Sequence, residues 1–150
     1  MNLQSFLFLL FINSICFTAQ ILDVKIIGNK NTRNEIILRE INHPYPAEFD
    51  SSMAKEDRNR IYNLGLFSTV DIQLIDSFYT VTLVETFRFF PIPIADYNES
   101  KGWSYGGGIA FLNFNGKNQK LIFGGIGGEE TTYFLDFNDP WIAGDHVSLS

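Results

Sequence analysis

Leu64-Gly65-Leu66-Phe67-Ser68-Thr69-Val70-Asp71-Ile72-Gln73-Leu74 decides how the first half of this chain folds. Gly65 is a helix stop, since a left-handed residue is favoured just past a helix C-terminus. From Val70 onward, apolar Val70, Ile72 and Leu74 alternate with Asp71 and Gln73, which is the period of a half-buried strand. A helix therefore ends and a strand begins within a few residues. Reading backwards, Asp50 or Ser51 can cap that helix, and Ala54, Asp57, Ile61 and Leu64 fall three or four apart, with Met53 at the border. Asp57 breaks this apolar stripe, and Arg58 can replace it through its aliphatic stem. Reading forwards, Asp76-Ser77 is a turn. Tyr79 to Glu85 is a second strand, in which Val81 and Leu83 oppose Thr80, Thr82 and Val84.

Further upstream, Leu22, Val24 and Ile26 alternate with Asp23 and Lys25, so another half-buried strand is expected. Gly28-Asn29-Lys30-Asn31 is a turn in which Gly28 and Asn29 tolerate left-handed backbone. Thr32 and Glu35 have the spacing of a capping box. The helix that follows should turn Ile37 and Ile41 inward and Arg39 and Glu40 outward, and should end at Pro44 and Pro46. The order is strand, helix, helix, strand, strand. Leu64, Leu66 and Phe67 are expected to plug the core between helix and sheet.

This α+β unit, residues 20–86, resembles a POTRA domain, the periplasmic module of BamA-like and two-partner-secretion outer-membrane proteins. The resemblance is carried by Ile26-x-Gly28-Asn29-x-x-Thr32, Ile37-x-Arg39-Glu40-Ile41, Leu64-Gly65-Leu66-Phe67-x-x-Val70 and Val81-x-Leu83-Val84-Glu85, in that order and spacing.

Before that unit, Phe6 to Ile12 reads FLFLLFI. The run is too short for a transmembrane helix, which needs about 20 residues, and suits the core of a signal peptide. Residues 1–19 are therefore expected to be a signal peptide cleaved after Ala19. Cys16, the only cysteine, falls inside it, which excludes a disulfide framework and a cysteine-rich zinc site. The chain has 150 residues and a formal net charge of −6, and a nucleic-acid binder usually shows a basic face instead.

Composition changes after Lys101: ten of the 12 glycines follow it. Residues 87–101 contain FRFFPIPI, whose prolines suggest a linker or an edge segment and not an inner strand. In Trp103–Asn113, Trp103, Tyr105, Gly107, Ile109 and Phe111 share one side, while Ser104, Gly106, Gly108 and Ala110 share the other. Asn115-Gly116 signals a hairpin. Strands are expected at Lys120–Gly128 and Thr131–Asn138, with Asp139-Pro140 turning the chain toward a fourth strand near Gly144-Asp145. Strands of about nine residues approach the ~9–11 that a tilted transmembrane strand needs, and Trp103, Tyr105 and Trp141 suit interfacial aromatic girdles. Residues 102–150 thus read as the first antiparallel strands of a transmembrane β-barrel. Closed barrels hold about eight strands or more, so a longer protein is expected. Pro91-Ile-Pro, Gly102-x-x-Tyr105-Gly106-x-Gly108, Asn113-x-Asn115-Gly116 and Phe137-x-Asp139-Pro140-Trp141 extend the resemblance through this part.

No catalytic constellation, cofactor or metal site is expected. The glycine clusters match no phosphate-loop pattern, and His43 and His146 lie far apart in sequence. The resemblance implies a non-enzymatic factor that inserts β-barrel proteins at the outer membrane. Its partners would be outer-membrane lipid, unfolded barrel clients and accessory assembly proteins, but no nucleic acid. A two-partner secretion pore and a surface-antigen barrel are the alternatives. Client strands are expected to add to an exposed edge, either Val70-Asp71-Ile72-Gln73-Leu74 or Leu22 to Ile27. The glycine-rich strand Tyr105-Gly106-Gly107-Gly108-Ile109-Ala110-Phe111 is expected to line a weak barrel seam. Valine at Gly106 and Gly108 is expected to tighten that seam.

Overall fold

A computed structural model describes residues 19–141. Residues 1–18 of the expected signal segment, with Cys16, and likewise His146 and the strand expected near Gly144-Asp145, lie outside the described residues.

The first unit runs β1 (Gln20–Ile21), β2 (Asp23–Ile27), α1 (Asn34–Leu38), β3 (Ala47–Glu48), α2 (Ser51–Asn63), β4 (Phe67–Ile75) and β5 (Phe78–Glu85). β5 is the centre of a three-stranded sheet, with β2 parallel on one side and β4 antiparallel on the other. β1 and β3 form a separate two-residue ladder. The strand–helix–helix–strand–strand order is therefore as expected. Ile36, Ile37, Ala54 and Ile61 from the helices meet Val70, Tyr79, Val81 and Leu83 from the sheet, with Leu66 and Phe67 closing the core beside the helix stop. Gly65 takes φ +71. Asp50 caps α2, its carboxylate accepting from the backbone N–H of Ser52 and Met53.

Four details differ from the sequence expectation. Leu22 is exposed, because the strand breaks there and Ile21 turns into the core instead. Thr32 and Glu35 form no capping box. α1 begins at Asn34 with Arg33 as an N-cap that makes no side-chain cap bond, and the Thr32 hydroxyl is committed to Glu85. α1 also stops at Leu38, well before Pro44, because the backbone N–H groups of Asn42 and His43 turn inward to bond Asp57. Asp57 itself points into the core at 1% exposure, so Arg58 does not take its place in the stripe.

Asp57 organises this interior. It accepts from Asn42 N at 2.9 Å, His43 N at 3.1 Å and the Tyr79 hydroxyl at 2.9 Å. Burial, then the adjacent carboxylate, pushes the Tyr79 phenol upward, so it stays a donor. Buried His43 accepts the Asp50 N–H at Nε2, which leaves Nδ1 to donate to the Pro44 carbonyl. Its ring packs against those of Phe49 and Tyr79, which also meet each other. Both residues work as structural polar groups.

The second unit is an antiparallel sheet of β6 (Phe89–Asn98), β7 (Gly102–Phe114), β8 (Gln119–Gly127) and β9 (Thr131–Asn138), paired in chain order. The segment expected as a linker or an edge segment, 87–101, is an edge strand over Phe89–Asn98. β6 pairs with β7 over its whole length, from Phe89↔Phe111 to Asn98↔Gly102, and its prolines are accommodated because it is an edge strand. The β7–β8 connection carries left-handed Asn115, Gly116 and Asn118, and the register slips between Phe111 and Phe114, where Asn113 takes φ +54.

The registers put odd-numbered residues of all four strands on one face. That face carries Phe89, Tyr97, Trp103, Tyr105, Ile109, Phe111, Phe123, Tyr133, Leu135 and Phe137, and no charged residue. The opposite face includes Asp96, Lys120 and Asp136. An exposed apolar face of this extent is the mark of a membrane or partner surface.

Candidate functional site

Three features are built to engage other chains or to couple the two units. The first is the joint between them. Gly28, at φ +99, passes so close to β5 that a Cβ would run into the Leu83 carbonyl. This brings the 29–32 turn over the end of β5, where the Glu85 carboxylate waits. Glu85 accepts from Asn31 N (2.9 Å), Asn31 Nδ2 (2.6 Å), Thr32 N (2.7 Å) and Thr32 Oγ1 (2.7 Å). Partial burial raises its pKa, but the bonds from Asn31 and Thr32 outweigh that and hold the carboxyl below its usual value. Asn29 braces the turn through Nδ2, bonding the Thr32 carbonyl and Asn34 Oδ1.

The β7–β8 turn sits on this assembly. Buried Asn113 donates from Nδ2 to Thr32 Oγ1 at 2.8 Å, and its Oδ1 accepts from Asn118 N. The Arg33 N–H donates to the Gly116 carbonyl at 3.0 Å, and Arg33 Nε to the Asn115 carbonyl. Arg88 Nη2 donates to Asn31 Oδ1. Gly116 must be glycine: it has φ +72, and a Cβ would meet the Asn31 carbonyl. On the far side the Arg39 guanidinium lies 5.1 Å over Trp141, a cation–π contact. Thr32, Gly28 and Asn29, expected only to shape the fold, thus form one half of a polar clasp. Sequence reading missed Glu85, Asn113, Arg33 and Arg88 as members, although Glu85 closes one of the quoted motifs.

The second feature is the edge β4. Both outer strands of the three-stranded sheet, β2 and β4, have one unpaired side among the described residues. The Asp76-Ser77 turn has both residues left-handed and Ile75↔Phe78 as its closing pair. In such two-residue hairpins the closing pair is hydrogen-bonded and pairs alternate from there. Val70, Ile72 and Leu74 therefore direct their backbone N–H and C=O outward, while exposed Asp71 and Gln73 bond β5. Beside this edge, α2 and β4 bound a groove of about 320 Å³ lined by Arg58, Asn59, Tyr62, Ser68, Thr69 and Val70. Asp71 is bonded to Gln73 Nε2, placing polar side chains along an edge that is otherwise open.

The third feature is the glycine-rich centre of the four-stranded sheet. Tyr105 to Phe111 do not form an outer seam. They lie on β7, hydrogen-bonded to β6 on one side and β8 on the other. Among the described residues the outer strands are β6 and β9, and β6 covers β7 because the Pro-containing segment is itself a strand. The glycines serve close backbone approach: a Cβ on Gly106 would run into the Gly125 carbonyl, and the Phe134 ring packs over Gly108 and Gly124. Valine at Gly106 is therefore expected to push β7 and β8 apart, not to tighten a seam. A loss of about 2 kcal/mol is the usual scale for such overpacking. The check is the heat-modifiable gel mobility of the membrane-inserted protein, which should lose its folded band in Gly106→Val.

Residues 19–86 match the family model described as POTRA, surface antigen variable number repeat. The chain is 26% identical over 137 residues to the outer membrane protein assembly factor BamA of Neisseria meningitidis serogroup B (strain ATCC BAA-335 / MC58), covering 85% of this chain and 17% of that protein. Among solved structures it is similar to BamA from Haemophilus ducreyi lacking POTRA domains 1–3, with a TM-score of 0.63, 23% identity, 85% of this chain covered and 26% of the other. CdiB from Acinetobacter baumannii aligns at a TM-score of 0.45 and 15% identity, over 80% of this chain and 26% of the other. The chain thus spans well under half the length of each.

Proposed function

We propose that this chain, similar to BamA and matching a POTRA domain over residues 19–86, is an outer-membrane protein with that domain in the periplasm and assembles β-barrel proteins into the outer membrane. The observation that carries the reading is the combination of an open, hydrogen-bond-competent edge at Val70, Ile72 and Leu74 with an uncharged aromatic sheet face in the second unit. An unfolded client delivered to the periplasm would add as a strand beside β4, by β-augmentation. Backbone bonds supply the affinity, so many client sequences are accepted. The groove beside α2 would take alternate client side chains. The second unit, with its odd-numbered face in lipid, forms the opening strands of a barrel, and its polar clasp to the POTRA domain fixes where the captured strand meets the membrane.

The test is depletion in the native cell, with the folded fraction of many outer-membrane barrels followed by heat-modifiable mobility. Folded barrels in general should fall together. Loss of one secreted polypeptide, with other barrels assembling normally, would show a secretion pore instead. Normal assembly and normal secretion would leave a structural barrel. Photo-crosslinkers at Asp71 and Gln73 should capture unfolded clients, whereas one at Glu56, exposed on α2 away from both grooves beside β4, should not.

A further inference from the structure

An outer strand of the four-stranded sheet, β6, reads FFPIPIADYN and pairs with β7 in one uninterrupted register. A single bond fixes which of its residues face β7. The Leu112 N–H donates to the Arg88 carbonyl at 2.8 Å, so the pair 88/112 is a hydrogen-bonded one. Bonded and non-bonded pairs alternate along an antiparallel ladder. Phe90, Ile92 and Ile94 therefore bond β7. Phe89, Pro91, Pro93, Ala95 and Tyr97 direct their backbone outward.

Both prolines thus fall on the bare side, and neither has an N–H to offer. Outward donors remain at Phe89, Ala95 and Tyr97. Between Phe89 and Ala95 the edge presents carbonyls only, over a distance of about 20 Å at the usual strand rise. A strand laid against β6 can donate to every outward carbonyl. Its own carbonyls opposite Pro91 and Pro93 receive nothing, and in a membrane an unpaired backbone group is costly.

We infer that Pro91 and Pro93 strip the middle of this edge of its donors, so that the strand occupying it is held there by about half the usual ladder bonds and is exchangeable for the extended strand of an incoming polypeptide. The inference rests on the assembly role proposed above and names the device by which the sheet edge stays available. The incoming strand is one with apolar side chains toward lipid. The odd-numbered face along the gap is apolar, and bare Gly107 leaves a hollow of about 610 Å³ bounded by Pro91, Pro93, Ile109 and Phe123 that would seat such a side chain. A proline in the incoming strand opposite Pro91 or Pro93 would remove the last available bonds, so such strands are refused. The property belongs to the prolines of β6. The glycines of β7, already bonded on both sides, do not set it.

The test compares the full-length protein with its Pro91→Ala/Pro93→Ala variant in outer-membrane lipid. The two restored N–H groups should exchange about tenfold or more slower than free amides, the effect of two recovered ladder bonds. In cells, client assembly by the variant should slow severalfold at unchanged levels of folded protein. Ala95→Pro, which lengthens the gap on the same bare side, should act in the opposite direction and speed exchange at Tyr97. Unchanged assembly by the double variant, in cells where depletion still stops assembly, overturns the inference and leaves the assembly role standing. If depletion leaves assembly unaffected, the assembly role fails. The exchange rates of residues 91 and 93 then decide the edge alone, with free-amide rates overturning it.

Discussion

Asp57→Ala should destabilise the periplasmic domain by about 4 kcal/mol. The carboxylate is the shared acceptor for Asn42 N–H, His43 N–H and the Tyr79 hydroxyl. Alanine leaves all of them without a partner in a buried site, and each unsatisfied donor costs about 1–3 kcal/mol. A small cavity adds to this. Tyr79→Phe removes one bond and leaves the carboxylate its two backbone donors, so it should cost only about 1–2 kcal/mol. Hydrogen exchange of the α2 and β5 amides in the intact protein provides the measurement. A loss of about 4 kcal/mol reads as roughly a thousandfold fall in protection. If Asp57→Ala exchanges no faster than Tyr79→Phe, Asp57 does not organise the core.

Glu85→Gln should loosen the clasp and remove an acid-dependent part of its stability. Glu85 is the common acceptor for the backbone and side-chain donors of Asn31 and Thr32. Glutamine retains one acceptor oxygen but sets an NH₂ group against existing donors, and loses the charge that strengthened the bonds. The expected cost is about 2 kcal/mol. The folded-state pKa of Glu85 lies below its ordinary 4.5. Its stabilisation is therefore fully present above that ordinary value and is lost as pH falls through the folded-state value. The native protein should weaken on acidification below about pH 4.5, and Glu85→Gln should show a flatter dependence over the same range. Exchange protection of residues 29–34, followed from pH 6 down to about pH 3, measures this. Equal slopes in both proteins would contradict the assignment.

The residues whose partners are close in sequence could be read from it. The Gly65 stop, the Asp50 cap, the Asp76-Ser77 turn and the β4 alternation all depend on neighbours within a turn or a strand, and the structure has each of them. Asp57 was misjudged because its partners are backbone N–H groups of a loop that the sequence does not advertise. Thr32 was given a local partner, Glu35, when its hydroxyl is taken by Glu85 from 53 residues away. The same limit applied to the outer strand β6. Proline allows an edge strand in principle, but only the register shows that Pro91 and Pro93 fall on one side of it. That Val70–Leu74 and Asp23–Ile27 lie on outer strands of the sheet could be read from sequence, and β4 is an open edge among the described residues. Which of its residues turn their backbone outward depends on the closing pair of the hairpin.

The seating of the 115–118 turn on the 29–33 loop has a bearing on the order in which the molecule is made. Asn113 reaches Thr32 across 81 residues, and Arg33 holds the Gly116 carbonyl. The domain that supplies Thr32, Arg33 and Glu85 precedes the sheet in the chain, and domains generally fold as units in the order of synthesis. When the β7–β8 hairpin forms, its turn meets a folded surface that already holds its acceptors and donors in place. The loop-closure cost of that distant contact is then met by a rigid domain and not by a fluctuating chain. The domain of residues 19–86 thus acts on its own polypeptide as it is proposed to act on others, fixing the β7–β8 turn and with it the register of the sheet.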